Sequence, residues 1–138
     1  MSSSEQVLYT GKTHTTGGRD GAARSDDGRL SVALSSPGSA GTGTNPEQLL
    51  GAGWSACFIG ALGLAARAAH VALPAHTAVD AEIDLTRGDG GYQLRARLRI
   101  SLPGLTPELA RALVDQAHGS CPYSKALSAG IPIELSLN

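Results

Sequence analysis

The stretch Cys57-Phe58-Ile59-Gly60-Ala61-Leu62-Gly63-Leu64-Ala65-Ala66-Arg67-Ala68-Ala69-His70-Val71 decides the fold. Only Arg67 and His70 interrupt it, and a helix without a polar face is buried on every side. The sequence therefore predicts a central helix with everything else packed around it. Upstream, Asn45-Pro46-Glu47 starts a helix. Proline disfavours the helical conformation in the residue before it, so Asn45 is a natural N-cap and Pro46 the first helical residue. Glu47 falls in the first turn, where its charge suits the helix dipole.

Outward from this helix the chain reads as strands. Val7 to Thr16, Ala22 to Ser25 and Leu30 to Leu34 form an N-terminal meander, punctuated by Gly17-Gly18-Arg19-Asp20-Gly21 and Asp26-Asp27-Gly28-Arg29. Thr77 to Thr86 and Tyr92 to Leu102 alternate apolar with charged residues, the mark of half-buried strands. Opposite charges select a single antiparallel register: Asp84 faces Arg95, Glu82 faces Arg97 and Asp80 faces Arg99. That register leaves Gly88 to Gly91 as a four-residue loop and puts Ile83 against Ala96 and Ala81 against Leu98. Thr106-Pro107-Glu108 caps a second helix through about His118, Pro122 begins a short one, and Ile131 to Leu137 is a last strand whose Pro132 marks an edge or a strand start. Long helices segregated from hairpins make the class α+β: an antiparallel β-meander and a hairpin around a buried central helix.

With 138 residues, one domain spans the chain, residues 1–138. A net charge of −1 offers no basic field, so nucleic acid and anionic membranes are not expected partners. Met1 to Gln6 shows neither a basic nor an apolar leader region, and the longest apolar stretch, about Trp54 to Ala69, is shorter than the roughly 20 residues of a membrane span. A cytoplasmic location is expected, where any disulfide would be transient. Eighteen glycines against one Phe and one Trp make a light core, a hint of subunits sharing it in an oligomer.

Two cysteines remain, Cys57 and Cys121. They are too far apart for a CxxC pair. Cys57 is expected near the start of the apolar helix and Cys121 directly after another helix stops at Gly119. A helix N-terminus favours the thiolate, and only the thiolate attacks, so a nucleophile and a resolving partner are one reading. Two ordinary core cysteines are the other, since free Cys is often buried. His118, three residues before Cys121, is either a proton donor or a partner of the helix-end carbonyls. The four histidines show no metal-ligand spacing, so no metal site is expected. Gly11-Lys12-Thr13 lacks the glycine a phosphate loop requires.

Four motifs follow in order: Thr16-Gly17-Gly18-Arg19-Asp20-Gly21, Gly43-Thr44-Asn45-Pro46-Glu47-Gln48-Leu49-Leu50, Gly53-Trp54-Ser55-Ala56-Cys57-Phe58, and Ala117-His118-Gly119-Ser120-Cys121-Pro122-Tyr123-Ser124. Together they resemble the organic hydroperoxide resistance branch of the osmotically inducible protein C (OsmC) superfamily, from about Leu8 to Leu137. The resemblance implies an intertwined homodimer with two sites at the subunit interface. It implies a thiol peroxidase that reduces organic and fatty-acid hydroperoxides to alcohols. Cys57 would be the peroxidatic residue and Cys121 the resolving one, joined in a Cys57–Cys121 disulfide. Arg19 would steady the thiolate and Glu47 would orient Arg19. No cofactor is bound; dihydrolipoamide or a lipoylated protein would be the reductant. The Arg87 to Gly91 turn is shorter than usual in that family, and Lys125-Ala126-Leu127 replaces a more polar stretch.

Two other functions are compatible with the same residues: a non-enzymatic redox sensor switched by the same disulfide, and a small hydrolase using Cys57 or Ser55. Geometry adds a constraint of its own. Ten helical residues put Glu47 about 15 Å from Cys57 along the axis, beyond what one guanidinium can bridge. This predicts a break at Gly51-Ala52-Gly53, with Cys57 in the first turn of a second helix capped near Ser55.

Overall fold

In a computed structural model, residues 5–138 are described, and the start Met1 to Ser4, on which the absence of a leader was partly read, lies outside them. The order is β1 (Thr13–Thr16), a 3-10 turn (Gly18–Asp20), β2 (Ala22–Ser25), β3 (Ser31–Ala33), α1 (Pro46–Ala68), β4 (Ala78–Gly88), β5 (Gly91–Ser101), α2 (Pro107–Ser120), α3 (Pro122–Leu127) and β6 (Ile133–Leu137). The chain clusters into two units, divided after Pro46.

The N-terminal unit is the antiparallel meander β1-β2-β3. Its first strand is shorter than expected: residues 5–12 carry no regular structure, and Val7, Leu8 and Tyr9 are exposed. Gly17 and Gly18 take left-handed φ angles of 74° and 59°, conformations that favour glycine. At Gly21 an added Cβ would lie 1.8 Å from the Thr16 carbonyl oxygen, so only glycine fits where the chain closes on β1.

The C-terminal unit holds a sheet of order β4-β5-β6. β4 and β5 pair in the register that the charges select, Asp84↔Arg95, Glu82↔Arg97 and Asp80↔Arg99. The hairpin is tighter than the expected four-residue loop: Gly88 pairs with Gly91 across Asp89-Gly90, and Gly91 takes φ 91°. β6 joins β5 in parallel at the sheet's edge, as Pro132 suggested. Charge pairing converges on one cation. Arg97 holds Glu82 through Nε at 2.8 Å and forks onto both Asp84 oxygens at 2.9 and 2.8 Å, while Arg95 reaches Asp84 at 3.5 Å.

The apolar face of this sheet carries α1. Gly51 sits where an added Cβ would meet Ile83 at 3.5 Å and Ala81 at 3.7 Å. Trp54, Phe58, Ala61, Leu62, Ala65 and Ala66 follow at helical spacing and form one core with Ala96, Leu98 and Ile100 of β5 and Ala110, Leu113, Val114 and Ala117 of α2.

Two expectations fail here. The helix runs unbroken from Pro46 to Ala68, so Gly51-Ala52-Gly53 is no hinge and Ser55 no cap. The glycines lower the cost of a break but do not compel one when packing holds both sides. Nor is α1 buried all round: Ala52, Ala56, Gly60 and Leu64 form an exposed stripe, with Leu64 62% accessible. By length and composition the helix could cross a membrane, yet its inward face carries the core of its unit, as a core helix does.

Candidate functional site

Cys57 lies in the middle of α1, twelve residues into the helix, and not near its start. The dipole argument for a favoured thiolate therefore does not apply, because that effect fades within the first turn. Cys121 occupies the junction between α2 and α3, with φ −63° and ψ 122°. Pro122 explains the conformation, since the residue before a proline is pushed to extended geometry. Cys121 thereby ends one helix, its N–H bonded to the Ala117 carbonyl, and opens the next.

The two sulfurs lie 3.5 Å apart as free thiols. Cys121 is buried and Cys57 half-buried. A disulfide bond is about 2.05 Å long, so closure needs only about 1.5 Å of approach. The Cys57 thiol is pushed up from its ordinary value, first by burial. The Tyr123 backbone N–H, at the start of α3, donates to the sulfur and acts in the opposite direction. The neighbouring Cys121 thiol adds to the rise at Cys57.

The helix α3 is seated on α1 by side chains as well. The Trp54 indole N–H donates to the Ser124 hydroxyl at 3.0 Å, and both residues are fully buried. The Tyr123 phenol lies over Gly53, its hydroxyl 2.9 Å from where a Cβ would be. Trp54, Phe58 and Leu62 belong to the core, while Ile59 is only half-buried. His118, in the last turn of α2, is half-buried and its Nδ1 has no hydrogen-bond partner among the described residues.

In the N-terminal unit, Arg19 sits in the 3-10 turn after the two left-handed glycines. The turn is fixed by Asp20, whose carboxylate accepts from the Ser36 N–H at 3.0 Å and its hydroxyl at 2.9 Å. Those bonds hold the Asp20 carboxyl below the usual carboxylate range. Glu47 is in the first turn of α1, where sequence placed it.

The structure thus joins Cys57 and Cys121. Because α1 runs unbroken through the glycines, it puts Glu47 about 15 Å from Cys57 along the helix. Sequence reading missed the roles of Gly53, Tyr123 and Ser124 as the seat of α3; only the Cys-Pro-Tyr-Ser motif hinted at them. Among the described residues no group of three His, Cys, Asp or Glu is gathered to hold a metal ion.

This chain belongs to the OsmC-like protein family, whose pattern matches residues 38–136. It is 43% identical to an organic hydroperoxide resistance protein of Xanthomonas axonopodis pv. citri, over 99% of each chain. Its fold is that of the crystal structure of the organic hydroperoxide resistance protein OhrB of Bacillus subtilis, with TM-score 0.90, 37% identity and coverage of 96% of this chain and 100% of that one. A similar structure, from Vibrio cholerae, is a putative organic hydroperoxide resistance protein with captopril bound in one of its active sites, with TM-score 0.90, 36% identity and coverage of 99% and 96%.

Proposed function

We propose that this protein detoxifies organic hydroperoxides as a cysteine-based peroxidase. One observation carries the reading: two free thiols 3.5 Å apart, the half-buried one beside the buried one, in a chain of this family. The Cys57 thiolate attacks the outer oxygen of ROOH. The O–O bond breaks, RO⁻ takes a proton to leave as the alcohol, and Cys57 becomes a sulfenic acid. Cys121 then attacks the Cys57 sulfur, water leaves, and the Cys57–Cys121 disulfide forms. A dihydrolipoyl dithiol, free or on a lipoylated protein, restores both thiols by two exchanges and is itself oxidised to the cyclic disulfide. Apolar Ile59 and its neighbours favour an alkyl tail by about 25 cal/mol per Å² buried, a gain closed to hydrogen peroxide. A reducing compartment, the cytoplasm, suits thiols that must be regenerated.

The working unit in this reading is a homodimer. The exposed stripe Ala52, Ala56, Gly60 and Leu64 on α1 and the exposed Val7, Leu8 and Tyr9 are apolar surfaces that a second copy would cover. The unbroken helix supports the same conclusion for chemistry. A guanidinium held by Glu47 cannot also touch the Cys57 some 15 Å along the same helix. Arg19, oriented by Glu47, would therefore serve the Cys57 of the partner subunit, stabilising its thiolate and the departing alkoxide. Captopril is a thiol, and its presence in an active site of the Vibrio protein is in keeping with a site open to small thiol reductants.

The test is turnover with cumene hydroperoxide against hydrogen peroxide, with dihydrolipoamide, thioredoxin or glutathione as reductant. Rapid turnover with the organic peroxide and dihydrolipoamide is expected. Oxidation to the disulfide without turnover would instead identify a redox switch, and no oxidation of Cys57 would end the peroxidase reading.

A further inference from the structure

We propose that the buried hydrogen bond from Trp54 to Ser124 is a positioning brace that holds Cys121 in reach of Cys57, and so decides whether oxidised Cys57 closes a disulfide or is oxidised further. The inference deepens the peroxidase reading and rests on it for the oxidation of Cys57.

The spacing on both helices is the first ground. Trp54 precedes Cys57 by three residues on α1, so both project from neighbouring turns of one face. Ser124 follows Cys121 by three residues across the first turn of α3. The brace therefore joins the same two segments that carry the sulfurs, one helical turn away from them. Its geometry is good, with Nε1 and Oγ 3.0 Å apart, and neither residue is accessible to solvent.

The second ground is what holds α3. With six residues it is too short to be stable alone, so its place depends on what it is packed against. An indole N–H is a donor only, and a buried one needs an acceptor. The Ser124 hydroxyl is that acceptor, which makes the seat of α3 directional as well as apolar. Next to it, the Tyr123 backbone N–H donates to the Cys57 sulfur, so a shift of α3 moves both Cys121 and this donor.

The third ground is the competition the brace would settle. Cys57 sulfenic acid meets the Cys121 thiol to give disulfide and water, or meets a second ROOH to give sulfinic acid and ROH. The first route is unimolecular and depends on alignment across a 3.5 Å gap. Misplacing a reacting pair by about 1 Å can slow it by roughly a hundredfold. The second route depends on peroxide concentration and not on Cys121.

The experiment compares wild type with Ser124→Ala, Trp54→Phe and the double variant, each shown to fold by circular dichroism. Rapid-quench mass spectrometry with cumene hydroperoxide separates sulfenic acid formation, disulfide closure and sulfinic acid. We expect sulfenic acid formation slowed at most a few-fold as the Tyr123 donor shifts, closure slowed about ten- to hundredfold, and sulfinic acid rising at the disulfide's expense. Ile100→Val, a core truncation on β5, should lower thermal stability without altering this partition. Closure is also read without peroxide, by capping Cys57 with dithiobis(nitrobenzoate) and timing release of the coloured thiol as Cys121 attacks. Wild-type closure in both single variants, or in the double variant that leaves no polar group unmatched, would overturn the brace. So would an equal change of partition in Ile100→Val. If wild type ignored the hydroperoxide but closed from the capped state, and the variants closed slowly, the peroxidase reading would fall and the brace would stand.

Discussion

Gly53→Ala sets two effects of one methyl group against each other. Alanine in a helix interior is better than glycine by about 1 kcal/mol, because glycine loses more backbone freedom on folding. The new Cβ, however, would stand 2.9 Å from the Tyr123 hydroxyl oxygen and 3.4 Å from the ring carbon that bears it. Ordinary contact between carbons begins near 3.5 Å, so the phenol must yield by roughly half an ångström. It can do so, since Tyr123 is 40% accessible and its hydroxyl is the free end of the side chain. The strain should therefore be relieved by moving the ring, and the helix should keep most of its gain. We expect a stability increase of up to about 1 kcal/mol, or roughly 3 °C in melting temperature. Function should not move with it, because turning the phenol leaves the Tyr123 backbone N–H in place beside the Cys57 sulfur. Calorimetry and ultraviolet titration of the thiolate read stability and function separately. Tyr123→Phe removes the oxygen that collides, so in that background Gly53→Ala should keep the whole of its helix gain. A variant that melts lower, or a shifted Cys57 titration in Gly53→Ala, would refute this account of the Gly53–Tyr123 contact.

Arg19→Ala should fold and assemble normally, because the turn is held by Asp20 and the glycines, yet react far more slowly with hydroperoxide; wild-type kinetics in stopped flow would remove Arg19 from the site. Cys121→Ser should consume one equivalent of organic hydroperoxide and then gain oxygen mass at Cys57 under excess, whereas Cys57→Ser should consume none; intact-protein mass spectrometry distinguishes them. Asp84 is held below the usual carboxylate range, first by its hydrogen bonds to Arg97. A depressed folded-state pKa stabilises the fold above the unfolded value near 4, and that contribution is lost as pH falls through the folded value. Urea midpoints at acid and neutral pH should therefore differ less in Arg97→Gln than in wild type.

What could be read from sequence was what depends on pattern over several residues. The β4–β5 register followed from alternating charge, because a slip by one residue would turn Ile83 and Ala81 away from the core. Thr106 was legible as a cap from Thr-Pro-Glu, and its hydroxyl does accept from the Leu109 N–H. The pairing of Cys57 with Cys121 came from motif resemblance, since no spacing rule brings such distant residues together. The break at Gly51-Ala52-Gly53 failed because local propensity was set against tertiary packing. Gly51 packs where an added Cβ would make ordinary contact with Ala81 and Ile83, and Gly53 lies under Tyr123, so neighbours on both sides hold the helix through the two glycines. The expectation of an all-round buried α1 failed for a related reason. An apolar residue in sequence does not say whether its own chain or another copy covers it.

The state of the Cys57 thiol connects these points. A cysteine in mid-helix gains nothing from the helix terminus, and burial pushes its pKa up. In the C-terminal unit the opposing influence is a neutral donor, the Tyr123 N–H, which helps the thiolate without supplying charge. Reaction with a hydroperoxide requires that thiolate, so the peroxidase reading needs a cation from elsewhere. Arg19 is the residue the family resemblance assigns to that work, with Glu47 to orient it, and the unbroken α1 separates Glu47 from Cys57 of the same helix. In the proposed homodimer a second copy would resolve both difficulties together, covering the exposed stripe on α1 and bringing its own Arg19 and Glu47 to the sulfur. In this view dimer formation is the step that activates the nucleophile. The α3 seat, built from Gly53, Trp54, Tyr123 and Ser124, would in the proposed mechanism have the separate task of keeping the Cys121 sulfur aligned once Cys57 has been oxidised.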